Sequence, residues 1–228
     1  HFAYQGMVGN PNTIGIDGPW DIKRVLGTVP VRADGSAKFR IPANTPISIQ
    51  PLDSEGKALQ LMRSWMTAMP GETLQCVGCH DSQNSAPPVR TNLAVNGPPD
   101  EIKPWYGATR GFSYRREVQP VIDRYCVGCH DGTSEQKGSE PNLRGDVNVA
   151  DYASVLSWQR NPDAGRFSVG YAELCRFVRR GGAESDYHVL EPMEFHADTT
   201  ELVQLLNKGH YDVELDSEAW DRLITWID

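Results

Sequence analysis

Residues 76–81 read Cys76-Val77-Gly78-Cys79-His80-Asp81, and residues 126–131 repeat the phrase as Cys126-Val127-Gly128-Cys129-His130-Asp131. Two cysteines, two spacers and a histidine form the attachment signature of c-type haem. Each thiol adds across one vinyl group of the macrocycle. The histidine that follows lies beneath the ring and offers one axial nitrogen to iron. Four of the five cysteines and two of the six histidines are accounted for in this way.

Rival chemistries fit less well. Zinc ribbons separate their Cys-x-x-Cys pairs by about 15–20 residues, whereas 46 residues lie between Cys79 and Cys126. A thioredoxin-like redox pair needs no following histidine, and a disulfide framework would not place one after both pairs. The sequence therefore predicts two haem c groups, held by Cys76, Cys79 and His80 and by Cys126, Cys129 and His130.

At 228 residues the chain has room for one or two domains. Its formal charge of −8 argues against nucleic acid as a partner. It favours a solvated acidic surface, and allows a positively charged redox partner protein. No apolar run reaches the roughly 18 residues of a membrane span. The chain opens at His1, with neither methionine nor signal peptide, and reads as a processed chain or a piece of a longer one. Covalent haem attachment belongs to the exported side of the membrane, so the expected location is the periplasm, the cell surface or outside the cell. Cys175 is left over and reads as a buried thiol packing as a small hydrophobe.

The expected fold class is α+β. Residues 1–75 form a small antiparallel β-module: Val25–Val31 is rich in β-formers, Asp34-Gly35 signals a hairpin, and Ala37, Phe39 and Ile41 alternate. It has too little core to stand alone and should pack on the haem region. Residues 76–110 hold the first motif, set in loops after Pro70-Gly71, and a Pro-rich linker or wrapping loop. Residues 111–228 resemble one mainly α-helical class I cytochrome c domain, enlarged around 132–170. A helix from Phe112 to Tyr125, with Val118, Val121, Ile122 and Tyr125 at helical spacing, runs into the second motif. A closing helix, capped by Ser217, carries Trp220, Leu223, Ile224 and Ile227. The first and last helices should cross beside the haem.

Each iron needs a further ligand or an open position. The remaining donors are His1, His188, His196 and His210 and the methionines 7, 62, 66, 69 and 193. Asp198 and Glu201 suggest a capping box, and Gly209 a stop, for a helix from Thr199 to Lys208. Such a helix spans about 15 Å, so His196 and His210 can serve different irons but not the same one. Each could instead bond a free helix end. For the second haem His210 is favoured, with Met193 as the alternative; methionine would raise the reduction potential. For the first haem His196 and His188 are equal candidates. Met62, Met66 and Met69 have the spacing of a core face, and His1 could reach a haem of its own or a neighbouring chain.

Several stretches together are similar to a known family. They are Val25-Leu26-Gly27-Thr28-Val29-Pro30-Val31 with Asp34-Gly35-Ser36, Ile41-Pro42-Ala43-Asn44-Thr45-Pro46-Ile47, Pro70-Gly71-Glu72 ahead of the first motif, Lys208-Gly209-His210 and Trp226-Ile227-Asp228. The chain, from Gly15 to Asp228, resembles the C-terminal dihaem region of the hydrazine synthase alpha-subunit family, which includes many exported multidomain cytochromes. The resemblance implies a bis-histidine electron-transfer haem at Cys126, Cys129 and His130 with His210 opposite. In the synthase the first haem is catalytic: a tyrosine four residues after the motif histidine ligates iron, and the histidine turns to zinc. Here that position is Asn84, so the catalytic arrangement does not carry over and His80 is expected to be an ordinary proximal ligand.

Three functions are compatible with these features. The leading one is an exported dihaem cytochrome that transfers electrons to redox partners. A second is a haem enzyme or enzyme fragment, hydrazine synthase-like or peroxidase-like, with chemistry at the first haem. A third is a homo-oligomer or filament that stacks its haems, with the β-module and the wrapping loop as contacts.

Overall fold

The computed structural model describes residues 22–62, 65–78, 91–133, 140–149, 167–178 and 191–228. Five short α-helices lie in this set: α1 (Tyr114–Glu117), α2 (Gln119–Tyr125), α3 (Val169–Cys175), α4 (Glu201–Lys208) and α5 (Ser217–Ile227). The expected single helix over 112–125 is two. Pro120 lies in the first turn of α2. Proline has no N–H for the ladder, and its ring crowds the carbonyl four residues back. The break falls at Val118, whose backbone (φ −106°, ψ −44°) is the joint between α1 and α2.

The closing helix begins one residue earlier than expected. Asp216, not Ser217, is its N-cap, and its Oδ1 accepts the Ala219 N–H at 2.8 Å. The other Asp216 oxygen takes Arg124 and the Tyr125 hydroxyl, each at 2.9 Å, which ties the start of α5 to the end of α2. At α4 the expected capping box does not form. Asp198 is drawn away to the Lys57 ammonium, and Thr200 holds the N-cap without a side-chain capping bond, its hydroxyl donating instead to the His196 carbonyl at 3.0 Å. A 3-10 turn over Ala197–Thr199 precedes α4, and Gly209 ends it at φ +99°, a conformation open to glycine.

The main core joins these helices. Val118 and Ile122 pack with Leu143, Leu174, Val178, Ala197, Val203, Leu223, Ile224 and Ile227. Ile122, Leu223 and Ile224 are essentially sealed from solvent. Burying one such side chain is worth about 1.5–3 kcal/mol, so α2 and α5 are held together by their apolar faces. Glu117 is equally buried, and it is compensated. Arg110 forks onto it with two bonds of 2.7 Å, Arg116 adds one of 3.0 Å, and Arg222 from α5 completes the set.

The N-terminal part has β character without a ladder. Extended segments meet in isolated bridges: Thr28 with Lys103, Ile47 with Met66 and Leu52 with Ala58 antiparallel, Phe39 with Asp100 parallel. Asp34-Gly35 does form a turn, closed by Arg32 N–H to Ser36 O at 2.8 Å and braced by Asp34 Oδ1 on Ser36. The arms of that turn do not pair with each other, and Phe39 turns to Asp100 instead. Pro30, Pro42, Pro46 and Pro51 each remove a donor, which limits pairing to single bridges. Gly27 is required where residues 27 and 28 meet Lys103, since a Cβ there would stand 2.0 Å from the Lys103 carbonyl oxygen.

Residues 91–110 bond to this module. Leu93 N–H bonds Asp34, Ala94 N–H bonds Ser36 Oγ, and Arg32 forks onto Asp100 at 2.7 and 2.9 Å. The module also packs on the helices. The Asp228 carboxylate accepts Ala58 N–H at 2.9 Å and Ala197 N–H at 2.7 Å, and Gln50 donates to the Asp228 carbonyl. Lys57, nearly buried, pairs with Glu55 and Asp198. No helix among the described residues is long and apolar enough to cross a membrane.

Candidate metal centre

The second motif is a turn built on the end of α2. Cys129 N–H and His130 N–H both bond the Cys126 carbonyl, at 3.1 and 3.0 Å. This one-turn spiral puts Cys126 and Cys129 three residues apart on one side, the relation that makes neighbours on a helical surface. His130 carries on the stripe of Val118, Ile122 and Cys126. Its carbonyl is held in turn by Leu143 N–H at 2.9 Å. Cys126 is the inner cysteine: burial, with a smaller contribution from Cys129, pushes its thiol up to about 11. Cys129 is exposed.

His210 lies two residues beyond the end of α4, after Gly209. Its ring faces that of His130, with centroids 6.0 Å apart and planes 18° from parallel. Metal–imidazole bonds of about 2.0–2.1 Å, plus about 1.1 Å from nitrogen to ring centre on each side, give about 6.3 Å for two imidazoles sharing one metal. The observed separation is within a few tenths of that. The His130 Nδ1 is buried and has no hydrogen-bond partner among the described residues. Cys126, Cys129, His130 and His210 are the donors that a c-type haem would draw on here. Tyr211, 92% exposed with φ +51°, stands edge-on to His210 at 5.0 Å.

Met193, the alternative ligand for this site, is known here by its backbone bonds alone. Its N–H bonds the Leu59 carbonyl at 3.1 Å, on the face toward the β-module. His196 is also on that side. Its ring is wholly buried, its Nδ1 bonds the Glu194 carbonyl, and its Nε2 has no partner among the described residues. Of the first motif, Cys76 is exposed and residues 71–78 all lie at the surface. Cys79, His80, Asn84, His188 and His1 lie outside the described residues. Met62 and Met66 are half-buried and Met69 is 62% exposed, so the three methionines do not form a single core face. Cys175 ends α3, half-buried. Among the described residues, the second motif included, no three His, Cys, Asp or Glu side chains gather closely enough to hold a bare metal ion.

Two features escaped sequence reading. The Glu117 cluster draws Arg110 and Arg222 from 7 and 105 residues away, and only the adjacent Arg116 was visible in the chain order. Burial alone would raise the Glu117 carboxyl; the three guanidinium groups outweigh it and hold it at about 2. The second is the Asp228 clamp, whose two backbone donors lie 170 and 31 residues upstream. Burial raises this carboxyl against the pull of those bonds.

Residues 3–81 match the family model of the hydrazine synthase alpha subunit middle domain. No curated protein and no solved structure matches the chain. The family match supports the resemblance to the hydrazine synthase alpha subunit seen in the sequence, and supports it over residues 3–81 alone. It falls on the middle domain, not on the C-terminal dihaem region, and it stops at Asp81. The N-terminal part of this chain, through the first Cys-Val-Gly-Cys-His-Asp, is thus similar to the middle domain of the hydrazine synthase alpha subunit.

Proposed function

We propose that the chain is an exported dihaem c-type cytochrome that passes electrons between redox partners. The observation that supports this reading is the near-parallel pair of His130 and His210 rings, with centroids 6.0 Å apart, at a complete attachment motif. When bound, haem supplies an iron that takes up and releases one electron without breaking bonds. The chain does the rest. Cys126 and Cys129 would hold the group by thioethers. His130 and His210 would occupy the metal's remaining positions, which favours electron transfer over binding of small molecules. The core of α2 and α5 keeps the two histidines at fixed separation, so little rearrangement accompanies a change of charge. Cys76, with Cys79 and His80, would hold the second group.

Intact mass and a pyridine haemochrome assay on the purified protein test this directly. Two covalent haems are expected, and the oxidised and reduced spectra should be low-spin. Colourless protein, or a mass equal to the polypeptide alone, overturns the proposal.

The enzyme reading is favoured by a different observation. The family match covers the first motif and the module before it, and that motif lacks the helical setting of the second. On this reading the first haem has an open position for a small nitrogen compound or peroxide. Carbon monoxide binding to the reduced protein, or cyanide binding to the oxidised protein, separates the two. A response from about half of the haem favours catalysis, and none favours electron transfer.

A further inference from the structure

We propose that the exposed edge formed by Tyr211, Asp212 and Glu214 is the surface on which a redox protein with a lysine- or arginine-rich face docks at the second site; this rests on the electron-transfer reading above. The segment that carries this edge is fixed to the second motif at both ends. At one end the His210 ring lies beside that of His130, with centroids 6.0 Å apart. At the other the Asp216 carboxylate takes Arg124 and the Tyr125 hydroxyl, each at 2.9 Å, and Tyr125 directly precedes Cys126. Between these anchors Val213 and Leu215 are half-buried, and Leu215 packs on the main core. Tyr211, Asp212 and Glu214 are thereby left facing solvent.

Tyr211 is 92% exposed, so the fold gains almost no burial from its ring. It is also held at a cost. Val213 N–H closes a turn on the His210 carbonyl at 3.2 Å, and Tyr211 takes φ +51° within it. A non-glycine residue in that conformation costs about 1–3 kcal/mol. What the ring does touch is the His210 imidazole, edge-on, with centroids 5.0 Å apart and planes at 77°. A partner that covers Tyr211 therefore stands one ring away from the imidazole that would bind iron. Tyrosine suits the part, because it offers a large contact area with few rotatable bonds to freeze.

Charge decides the kind of partner. Residues 211–218 carry four carboxylates, Asp212, Glu214, Asp216 and Glu218, and no lysine or arginine. Arg124 answers Asp216, which leaves the edge negative on a chain whose formal charge is −8. A basic face is steered toward such an edge, and an acidic one is repelled. In the docked pair one electron leaves the reduced iron held at the second motif and enters the partner's oxidised metal. No bond forms or breaks, and neither the Tyr211 ring nor the His210 ring is itself oxidised.

The test follows oxidation of the reduced holoprotein by stopped flow, with mitochondrial cytochrome c as a lysine-rich probe and hexacyanoferrate(III) as an anionic one. Tyr211→Ala should slow the reaction with the basic probe by about fivefold or more and leave the haem spectrum unmoved, while Tyr211→Phe keeps the wild-type rate. A shifted haem spectrum in Tyr211→Ala would show the ring to be packing for His210 and overturns the proposal. The double variant Asp212→Asn, Glu214→Gln should react more slowly with the basic probe at low salt, lose part of its salt dependence, and react faster with hexacyanoferrate(III). Carbodiimide should couple lysines of the basic probe to Asp212 or Glu214, and cross-links confined to other carboxylates overturn the proposal. Colourless protein overturns the electron-transfer reading and this surface together. Haem-bearing protein whose rates are indifferent to residues 211, 212 and 214 overturns this surface alone.

Discussion

The same six residues occur twice in this chain, in surroundings that have almost nothing in common. At 126–131 an amphipathic helix runs into the motif, which coils into a further turn, and His130 meets His210 across 6.0 Å. At 76–78 the motif begins in exposed chain after the Pro70-Gly71 turn. Val127 is half-buried, while the matching Val77 is 65% exposed. A hexapeptide of this kind specifies a covalent chemistry but no environment. The environment comes from what precedes it, and from which distant segment folds back over it.

The contrast can be broken most forcefully at His210. His210→Ala should convert one haem from low-spin to high-spin, with carbon monoxide binding by half of the iron, and leave the other haem's signal in place. If both signals stay as they were, the opposed histidines are not a ligand pair. A smaller effect is expected from the scaffold of the second site. Leu223→Ala opens a cavity in the core shared by α2 and α5 and should cost about 2–5 kcal/mol in denaturant unfolding. A loss under 1 kcal/mol would mean that these helices do not hold the site.

Asp228 joins the two regions, and its replacement asks whether they unfold as one. Asp228→Asn exchanges an acceptor oxygen for an amide that cannot take both the Ala58 and Ala197 N–H groups. It should cost about 1–3 kcal/mol, the penalty of one buried donor left unsatisfied. Separate unfolding transitions for haem absorbance and for the rest of the protein would show the clamp to be the main link.

Acid sensitivity sharpens the comparison further. The Glu117 carboxyl is held at about 2 in the folded protein, below its ordinary range near 4.3. A folded-state value that is depressed stabilises the protein fully above the unfolded value, and the contribution fades as pH falls toward 2. The part of acid unfolding that disturbs the second site should therefore be blunted in Glu117→Gln. A pH profile identical to that of the wild type would refute this. The smallest effect is expected at the paired valines. Val77→Thr should change stability by less than about 0.5 kcal/mol, as exposed substitutions do, and Val127→Thr should cost more than its twin. Equal effects would remove the claimed difference in setting.

Reading the chain without coordinates reached some of this and missed the rest for identifiable reasons. The Val118–Ile122 stripe and the Leu223–Ile224–Ile227 stripe were legible, because a helix that buries one face must repeat apolar residues at helical spacing. For the second motif the sequence favoured His210 and left Met193 open beside it; the structure sets the His210 and His130 rings 6.0 Å apart. The turn at Asp34-Gly35 was legible from local backbone preference. The pairing of its arms was not, since bridges such as Phe39 with Asp100 depend on segments 61 residues apart. The capping roles of Asp198 and Ser217 were misjudged for a similar reason. A carboxylate goes to the strongest partner available in space, and neither Lys57 beside Asp198 nor Arg124 beside Asp216 is local.

The attachment motif was thus written in the order of the residues: two thiols three positions apart and the imidazole after the second need no fold to be recognised. Amphipathic helices were written there too, because their periodicity is local. Which imidazole rings come to lie side by side, and why Glu117 can be buried with its charge, were decided only when the chain closed on itself. Those properties depend on distances between groups remote in sequence, and such distances exist only once the apolar faces have packed.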